Sequence, residues 1–294
     1  MKRLLPVLCV ACLAAIGATG WSMLGPGAVD RIAVPAAGPA SPPSAPAAAA
    51  PPSAAERLHA ARRRCSLPAL DAVVTELRAQ TAATAADAAG WRLLAEALLE
   101  RAQLRTQVRG VAVGQPMFAE LPAELARDLD DGLAAVARAR ALGDTSADLY
   151  RIEACLMSQH ITGLATALRW NPRIEAALAK AAEQAADDPR LHTVLGLRKL
   201  LAPKLFGHDP ERALEHFEFA ARRLADDERP AVFAAMASYL QKKRQQAVAW
   251  LEQAVARNPN NVFARVVLRR VQRDEPEPFA RDVTADEHAA AGGR

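Results

Sequence analysis

Aromatic residues are scarce in this sequence: they make up 4% of the 294 residues, although hydrophobic residues make up 51%. Most of that apolar share is alanine and leucine, which favour helices, whereas the β-branched and aromatic residues that favour strands are few. The composition therefore argues against a sheet protein. It predicts an all-α protein with a thin core, because small side chains let helices approach closely.

A stripe of positive charge is also missing. The net charge is +4, and arginines alternate with acidic residues along much of the chain. A nucleic-acid-binding protein usually shows a basic stripe or stacking aromatics, so we expect no nucleic-acid partner. The basic run Arg62-Arg63-Arg64 is interpreted as a solvated helix start, with acidic lipid or a protein partner as the alternative contact.

Catalytic motifs are absent as well. The sequence contains no Gly-x-Ser-x-Gly, no His-Glu-x-x-His and no phosphate-binding loop, and its Cys-x-x-Cys spacing, Cys9 to Cys12, lies in an apolar run. We therefore expect no enzyme and no cofactor.

One short stretch does combine histidines with carboxylates, the side chains that bind metals. Its members are His208, Asp209, Glu211, Glu215 and His216. Asp209 before Pro210 is also an ordinary helix N-cap, and Glu211 suits the positive end of the helix dipole. We expect a helix start here and no metal site, although that leaves His208 unexplained.

Residues 1–30 resemble a targeting segment. Lys2 and Arg3 precede a mostly apolar run of 21 residues, Leu4 to Leu24, and a membrane span needs about 20. The alternatives are a retained anchor, a signal peptide cut after Ala18-Thr19-Gly20, or a lipid on Cys12. All three carry the rest of the chain across a membrane, because the positive end stays inside. We expect a location in the bacterial cell envelope, on the periplasmic side of the inner membrane, anchored or secreted.

Residues 31–54 form a linker rich in proline and alanine. Residues 34–54, "VPAAGPASPPSAPAAAAPPSA", carry no charge, and such a stretch is extended and semi-rigid. A spacer of this kind favours a retained tether. In an oxidising compartment, Cys65 and Cys155 are either bonded to each other or two separate buried residues.

Residues 55–274 contain a repeat. The small–large–small set of one helix recurs 34 residues later in another: Ala213, Phe217, Ala220 and Ala247, Leu251, Ala254. A 34-residue period with this pattern resembles the tetratricopeptide repeat. The resemblance implies a right-handed superhelical solenoid of antiparallel helix pairs, with about four TPR-like repeats, insertions at 103–128 and 159–173, and capping helices at about 54–81 and 261–274. Residues 275–294 are predicted to be a disordered tail.

A narrower resemblance covers "DDPRLHTVLGLRKLLAPKLFGHDPERALEHFEFAARRL". Pro203, Phe206, Gly207 and Asp209 stand where the T-component family of TRAP-type transporters has its Pro and its Phe-Gly-Gly-Asp turn, with His208 in place of the second glycine. This resemblance implies an exported, membrane-tethered accessory protein that works beside the substrate-binding protein of a transporter for small organic acids or hydrophobic solutes.

Two functions follow from these patterns. The first is a scaffold whose groove holds a protein or peptide partner in the envelope; the alternative is a T-component-like protein with an apolar pocket for a small hydrophobic ligand. In either case the first helix of each repeat is expected to line the groove, and Trp170 is added because it falls in an insertion. The predicted binding residues are Arg151, Cys155, Thr193, Leu197, Met236, Tyr239 and Trp170.

Overall fold

A computed structural model describes residues 51–292, which form one compact unit. The predicted N-terminal segment and most of the linker lie outside the described residues. The described part is all-helical, with no strand. Its helices are α1 Ala54–Arg63, α2 Leu67–Ala83, α3 Ala88–Arg105, α4 Ala123–Ala141, α5 Ala147–Gln159, α6 Leu164–Ala185, α7 Pro189–Leu201, a 3-10 turn Lys204–Phe206, α8 Pro210–Arg223, α9 Arg229–Leu240, α10 Arg244–Arg257, α11 Val262–Gln272 and α12 Ala285–Ala290.

Many helices begin at a polar residue whose side chain accepts a hydrogen bond from the first turn. Ser146 accepts from the Leu149 amide, and Asn261 accepts from the Ala264 amide. Asp209 accepts from the Arg212 amide, with Pro210 as the first residue of α8. The predicted helix start within the histidine–carboxylate stretch is therefore confirmed, and these caps stabilise helices whose alanine-rich faces bury little surface.

The helices pack in the order of the chain, as in an all-α solenoid. Successive hairpins are α3/α4, α5/α6, α7/α8 and α9/α10; we call the first helix of each the A helix and the second the B helix. Each A helix contacts the next A helix, whereas the B helices make no comparable contacts with one another within the described residues. The A helices therefore form the inner layer.

The 34-residue pattern marks buried positions. All six of its residues, in the B helices α8 and α10, are fully buried. The partner A helix has the Leu-Gly step at Gly196, where an added Cβ would lie 2.6 Å from the Phe217 ring. Glycine at this position lets α7 and α8 approach closely.

The helix boundaries differ from the expected ones in two places. The predicted N-terminal capping helix is two helices, because the chain breaks at Cys65, which has a left-handed φ of 48°. The predicted insertion 159–173 is largely helical, since α6 begins at Leu164. The insertion at 103–128 does contain an irregular stretch, residues 106–122, between α3 and α4.

The prediction of a disordered tail is not met over the described residues up to 292. Phe279 packs into the buried cluster formed by α7–α11, and Ala291 is buried against Val262 and Val266 of α11. The tail also contains α12, which Thr284 caps. Its charge and small residues suggested disorder, but one buried arginine described below holds it in place.

Candidate interaction site on the inner face

Six of the seven predicted binding residues lie on A helices, where the repeat pattern placed them. Arg151 and Cys155 are on α5, Thr193 and Leu197 on α7, and Met236 and Tyr239 on α9, whereas Trp170 is on the B helix α6. The inner face therefore contains the predicted groove positions. Only those positions whose side chains are not already engaged within the fold could contact a partner.

Arg151 is buried in an ion-pair network that links three A helices. Its Nη2 lies 2.9 Å from Asp148 Oδ1 and 3.6 Å from Glu96 Oε1 of α3. Arg190, at the start of α7, lies 3.8 Å from each of the same two carboxylates. Burial would raise the pKa of Asp148, but the charge of Arg151 and its hydrogen bond outweigh it and the pKa is lowered. Arg151 thus holds the inner face together.

A second network spans the inner face from the first helix pair to the fourth. Arg229, the first residue of α9, donates from Nη1 to both carboxylate oxygens of Glu100 on α3 at 3.0 Å and to Gln103 Oε1 at 2.6 Å. Its Nη2 donates to Asp227 at 2.8 Å, and Arg62 of α1 lies 3.0 Å from the same carboxylate. Burial opposes ionisation of Asp227, yet the two arginines hold its pKa well below the usual range.

Cys155 and Cys65 are both free thiols. Cys155 packs between two buried clusters, and burial raises the pKa of its thiol. Cys65 lies near the side-chain amides of Gln107 and Asn258, and burial raises the pKa of its thiol as well. Of the two alternatives, a disulfide bond or two separate residues, the structure therefore has two separate cysteines. Both are protonated at neutral pH and poorly nucleophilic.

Leu197 and Tyr239 occupy the part of the inner face that the chain itself covers. Like Val111 and Val113 of the irregular stretch, they are partly buried and pack against the buried cluster that contains Phe279 of the tail. The Tyr239 and Phe279 rings lie 5.7 Å apart between centroids. Polypeptide from the same chain therefore lies beside this part of the predicted groove, which stays a prediction.

The covering segments are joined to each other by main-chain hydrogen bonds. The Val111 amide donates to Phe279 O at 2.7 Å, and the Val283 amide donates to Val108 O at 2.8 Å. The Gly114 amide donates to Leu201 O, at the end of α7, at 3.0 Å. The irregular insertion and the tail therefore form one cover over the C-terminal ends of the A helices α7 and α9.

Thr193 and Met236 have structural roles. The Thr193 hydroxyl donates to Pro189 O of its own helix at 3.0 Å, and Met236 is buried in the cluster around α9. The contacts of both side chains are those of ordinary helix and core residues, and they give no indication of a binding surface.

Trp170 was chosen because its insertion offered no packing role, and the structure supplies one. The indole is buried with Ile174 and Tyr150 and stacks on His160 at 5.0 Å between centroids. The guanidinium groups of Arg169 and Arg173 lie 5.3 and 4.8 Å from the ring centroid. Trp170 is a core residue of α6 whose outer edge carries two cations.

The histidines of the histidine–carboxylate stretch have local partners. His208 Nδ1 lies 2.8 Å from Leu200 O, so the ring N–H donates to a carbonyl in the last turn of α7. That contact explains His208 as a helix-end residue. His216 Nδ1 lies 3.1 Å from His192 Nδ1. Within residues 51–292, no three metal-binding side chains come together.

Arg270 is the residue that the sequence interpretation missed. It is only 2% exposed, although arginine is rarely buried and its neighbour Arg269 is partly exposed. Its guanidinium donates to the carbonyls of Pro278, Arg281 and Asp282 at 2.8–3.1 Å and to both carboxylate oxygens of Glu287 at 2.8 and 2.5 Å. The sequence did contain a signal for its burial: Arg270 follows Val266 by four residues and Val267 by three, so all three lie on the same side of the helix.

Two surface depressions of the described part have charged side chains among their lining residues. An open one of ≈ 850 Å³ lies at the α9–α10 turn around Lys242, Lys243 and Arg244. A smaller one of ≈ 240 Å³ lies between α11 and α12, beside Arg269 and Asp286. None of the described helices combines the length and apolar character that crossing a bilayer requires.

The chain was compared with known proteins at the level of families and of individual sequences. No protein-family model matches it, and no curated protein matches it.

Proposed function

We propose that this protein is an exported, membrane-tethered scaffold of the tetratricopeptide type that binds a protein or peptide partner on the periplasmic side of the bacterial inner membrane. In this proposal the helix pairs form a right-handed superhelix. The supporting observation is that the inner face already holds irregular polypeptide, through main-chain hydrogen bonds and apolar contacts. A surface that accommodates one such segment has the chemistry to accommodate another.

The partner segment takes the place of the tail in this proposal. Residues 276–284 contribute one aromatic side chain, Phe279, beside Tyr239, and two main-chain hydrogen bonds to Val108 and Val111. A partner with a large apolar side chain and an exposed main chain would make the same contacts. The tail then acts as an internal competitor that lowers the partner's apparent affinity.

The experiment uses the tail as a peptide. A chain ending at Asp274 is mixed with a fluorescent peptide of residues 275–292, and binding is measured by anisotropy. We expect saturable binding to the shortened chain, weaker binding to the full chain, and at least about tenfold weaker binding of a Phe279→Ala peptide. Circular dichroism checks that the shortened chain folds. A folded shortened chain that does not bind the peptide contradicts the proposal.

The resemblance to the T-component family supports a second candidate, an accessory protein of a TRAP-type transporter. The observation in its favour is the turn: Gly207 adopts φ 93°, a conformation suited to the glycine that the family has there. The two depressions described above have charged linings, so a small hydrophobic ligand gains no support from them. Co-purification with a transporter's substrate-binding protein would test this candidate.

A further inference from the structure

The exposed large apolar side chains of the described residues gather at one end of the helix pairs. Because consecutive helices form hairpins, the A helices run in parallel and their C-terminal ends share one edge of the solenoid. We call this the turn edge and define it as residues 106–122, 160–173, 202–212 and 240–246. All the exposed large hydrophobic side chains belong to it: Met117, Leu164, Leu168, Leu205, Phe206 and Leu240.

Two of these side chains are presented by a fixed turn. Leu205 is 92% exposed and Phe206 is 72% exposed. The turn that holds them is closed by the Phe206 amide, which donates to Pro203 O at 2.8 Å, and by the Asp209 amide, which donates to Lys199 O at 2.9 Å. The main chain therefore directs Leu205 and Phe206 outwards in a defined conformation.

The neighbouring turn presents a second apolar pair. Leu164 and Leu168 are each 71% exposed, and their i, i+4 spacing places them on one face of the first turns of α6. Single exposed leucines are ordinary on protein surfaces, but several large apolar side chains on one edge indicate a contact surface.

The charge of the turn edge indicates what that surface contacts. The four segments contain eight Lys or Arg residues and three Asp or Glu residues. No acidic residue occurs between Glu153 and Glu175, where Leu164 and Leu168 lie. Lys242 and Lys243 lie at the next turn, and Lys204 directly precedes Leu205.

Three of the acidic groups near this edge are engaged within the fold. Asp209 caps α8, and Asp282 and Asp274 of the tail pair with Arg109 and Arg244 at 2.6 and 3.2 Å. Glu120 and Glu211 are exposed. The edge thus combines protruding apolar side chains with an excess of cations, as in proteins that lie on anionic membranes.

We propose that the turn edge docks on the surface of an anionic lipid bilayer, with Leu205 and Phe206 inserted among the headgroups and the lysines facing the lipid phosphates. The proposed N-terminal tether would keep this edge near a bilayer at high local concentration. The docking uses exposed side chains, whereas the partner proposed for the inner face would displace the tail; the two surfaces share residues 106–122, to which the tail is hydrogen-bonded.

Vesicle binding tests the proposal on residues 51–294, the compact unit that contains all the buried clusters and lacks the N-terminal apolar run. We expect co-sedimentation with vesicles of phosphatidylcholine and phosphatidylglycerol, weaker binding to pure phosphatidylcholine, and loss of binding at high salt. The double variant Leu205→Ser/Phe206→Ser should bind at least about tenfold more weakly. Its thermal midpoint should match that of the parent, since both side chains are exposed.

A matched pair of charge reversals separates docking from overall charge. Lys242→Glu lies on the turn edge, and Arg222→Glu lies in the last turn of α8, at the opposite end of the helix pairs. Lys242→Glu should weaken vesicle binding several-fold more than Arg222→Glu. Equal effects of the two reversals, or unchanged binding of the double serine variant, would overturn the proposal. A failure of the parent to bind the anionic vesicles would overturn it as well.

Discussion

At the scale of single residues, Arg270 decides whether the last part of the chain is ordered. An arginine has five N–H donors in a fixed fork, and all five are used here, on three main-chain carbonyls and the Glu287 carboxylate. No other side chain offers this geometry, because lysine has three donors on a single nitrogen. Arg270 thus joins α11 to the tail, in addition to the buried Phe279 and the main-chain hydrogen bonds to Val108 and Val111.

Replacing Arg270 with leucine should destabilise the protein by roughly 3–5 kcal/mol, because a buried charge partner and its carbonyl acceptors lose their donors. Urea unfolding measures the change, and limited proteolysis should cut the variant within residues 275–292. Arg273→Leu, at an exposed position of the same helix end, is the control and should change stability by less than about 0.5 kcal/mol. Equal stabilities of the two variants would contradict this role.

Glu287 makes the tail sensitive to acid. Its hydrogen bonds to Arg270 lower its pKa from 4.5 to about 2. A carboxylate with a lowered pKa stabilises the fold above the unfolded pKa and loses that effect as the pH falls through the folded pKa. The stability gap between the parent and Glu287→Gln should therefore be roughly 1.5–3 kcal/mol at neutral pH and should shrink between pH 4.5 and about 2.

Denaturant unfolding at several pH values measures that gap. Asp286→Asn is the control, since Asp286 is exposed and takes no part in the Arg270 contacts. A gap between the parent and Glu287→Gln that stays constant down to pH 2 would show that the carboxylate does not stabilise the tail through its charge.

At the scale of helices, the spacing of small residues sets how closely the pairs pack. Gly196 of α7 lies under the Phe217 ring of α8, and Gly132 of α4 lies under Leu156 of α5. In both places the glycine removes the atom that would keep the helices apart. The large residue of one helix then fills the space above the glycine of the other.

Gly196→Ala tests this packing. Alanine is the better helix former by about 0.5–1 kcal/mol, but its Cβ would lie 2.6 Å from the Phe217 ring. We expect a net loss of about 1–3 kcal/mol from overpacking. In the Phe217→Leu background the same substitution should cost clearly less, because the ring edge is gone. An additive double-mutant cycle would rule out the steric cause.

The helices and their buried faces were predictable, because the 3.6-residue spacing of apolar residues can be recognised within a single short segment. The repeat was also predictable, because comparing the two segments around Phe217 and Leu251 is enough to show the 34-residue offset. The ion pairs of the inner face were not predictable. Glu100 and Arg229 are separated by 129 residues, and nothing local to either shows that they meet. The cover on the predicted groove was unpredictable for the same reason, because it joins Val111 to Phe279, two residues far apart in the sequence.

At the scale of the whole described unit, hydrogen bonds and ion pairs connect helices at opposite ends of the inner face. Arg229 links α9 to α3, and Arg63 of α1 donates to Arg257 O at 2.8 Å while Asn260 donates to Arg63 O at 3.0 Å. The first helix therefore contacts the turn that precedes α11. An open solenoid has contacts only between neighbouring repeats, so these contacts should couple the unfolding of its two ends.

Arg229→Gln should test that coupling. It leaves Asp227 and Glu100 without their shared cation, and we expect a loss near the lower end of the roughly 3–5 kcal/mol seen for broken buried pairs, since the side chain is partly exposed. Amide hydrogen exchange should show faster opening in both α3 and α9. Arg222→Gln on the exposed end of α8 is the control, and faster exchange confined to α9 would argue against coupling.

The contact between α1 and the α10–α11 turn also fixes how many helix pairs the chain can have. Repeat proteins commonly change in length when a unit is duplicated, because each unit interacts only with its neighbours. Here an additional pair between α10 and α11 would move Asn260 away from Arg63 by at least one helix-packing distance, about 8–10 Å. We therefore expect gene duplications within this chain to be destabilising, so that relatives descending from it vary in their surfaces and keep the same number of helix pairs.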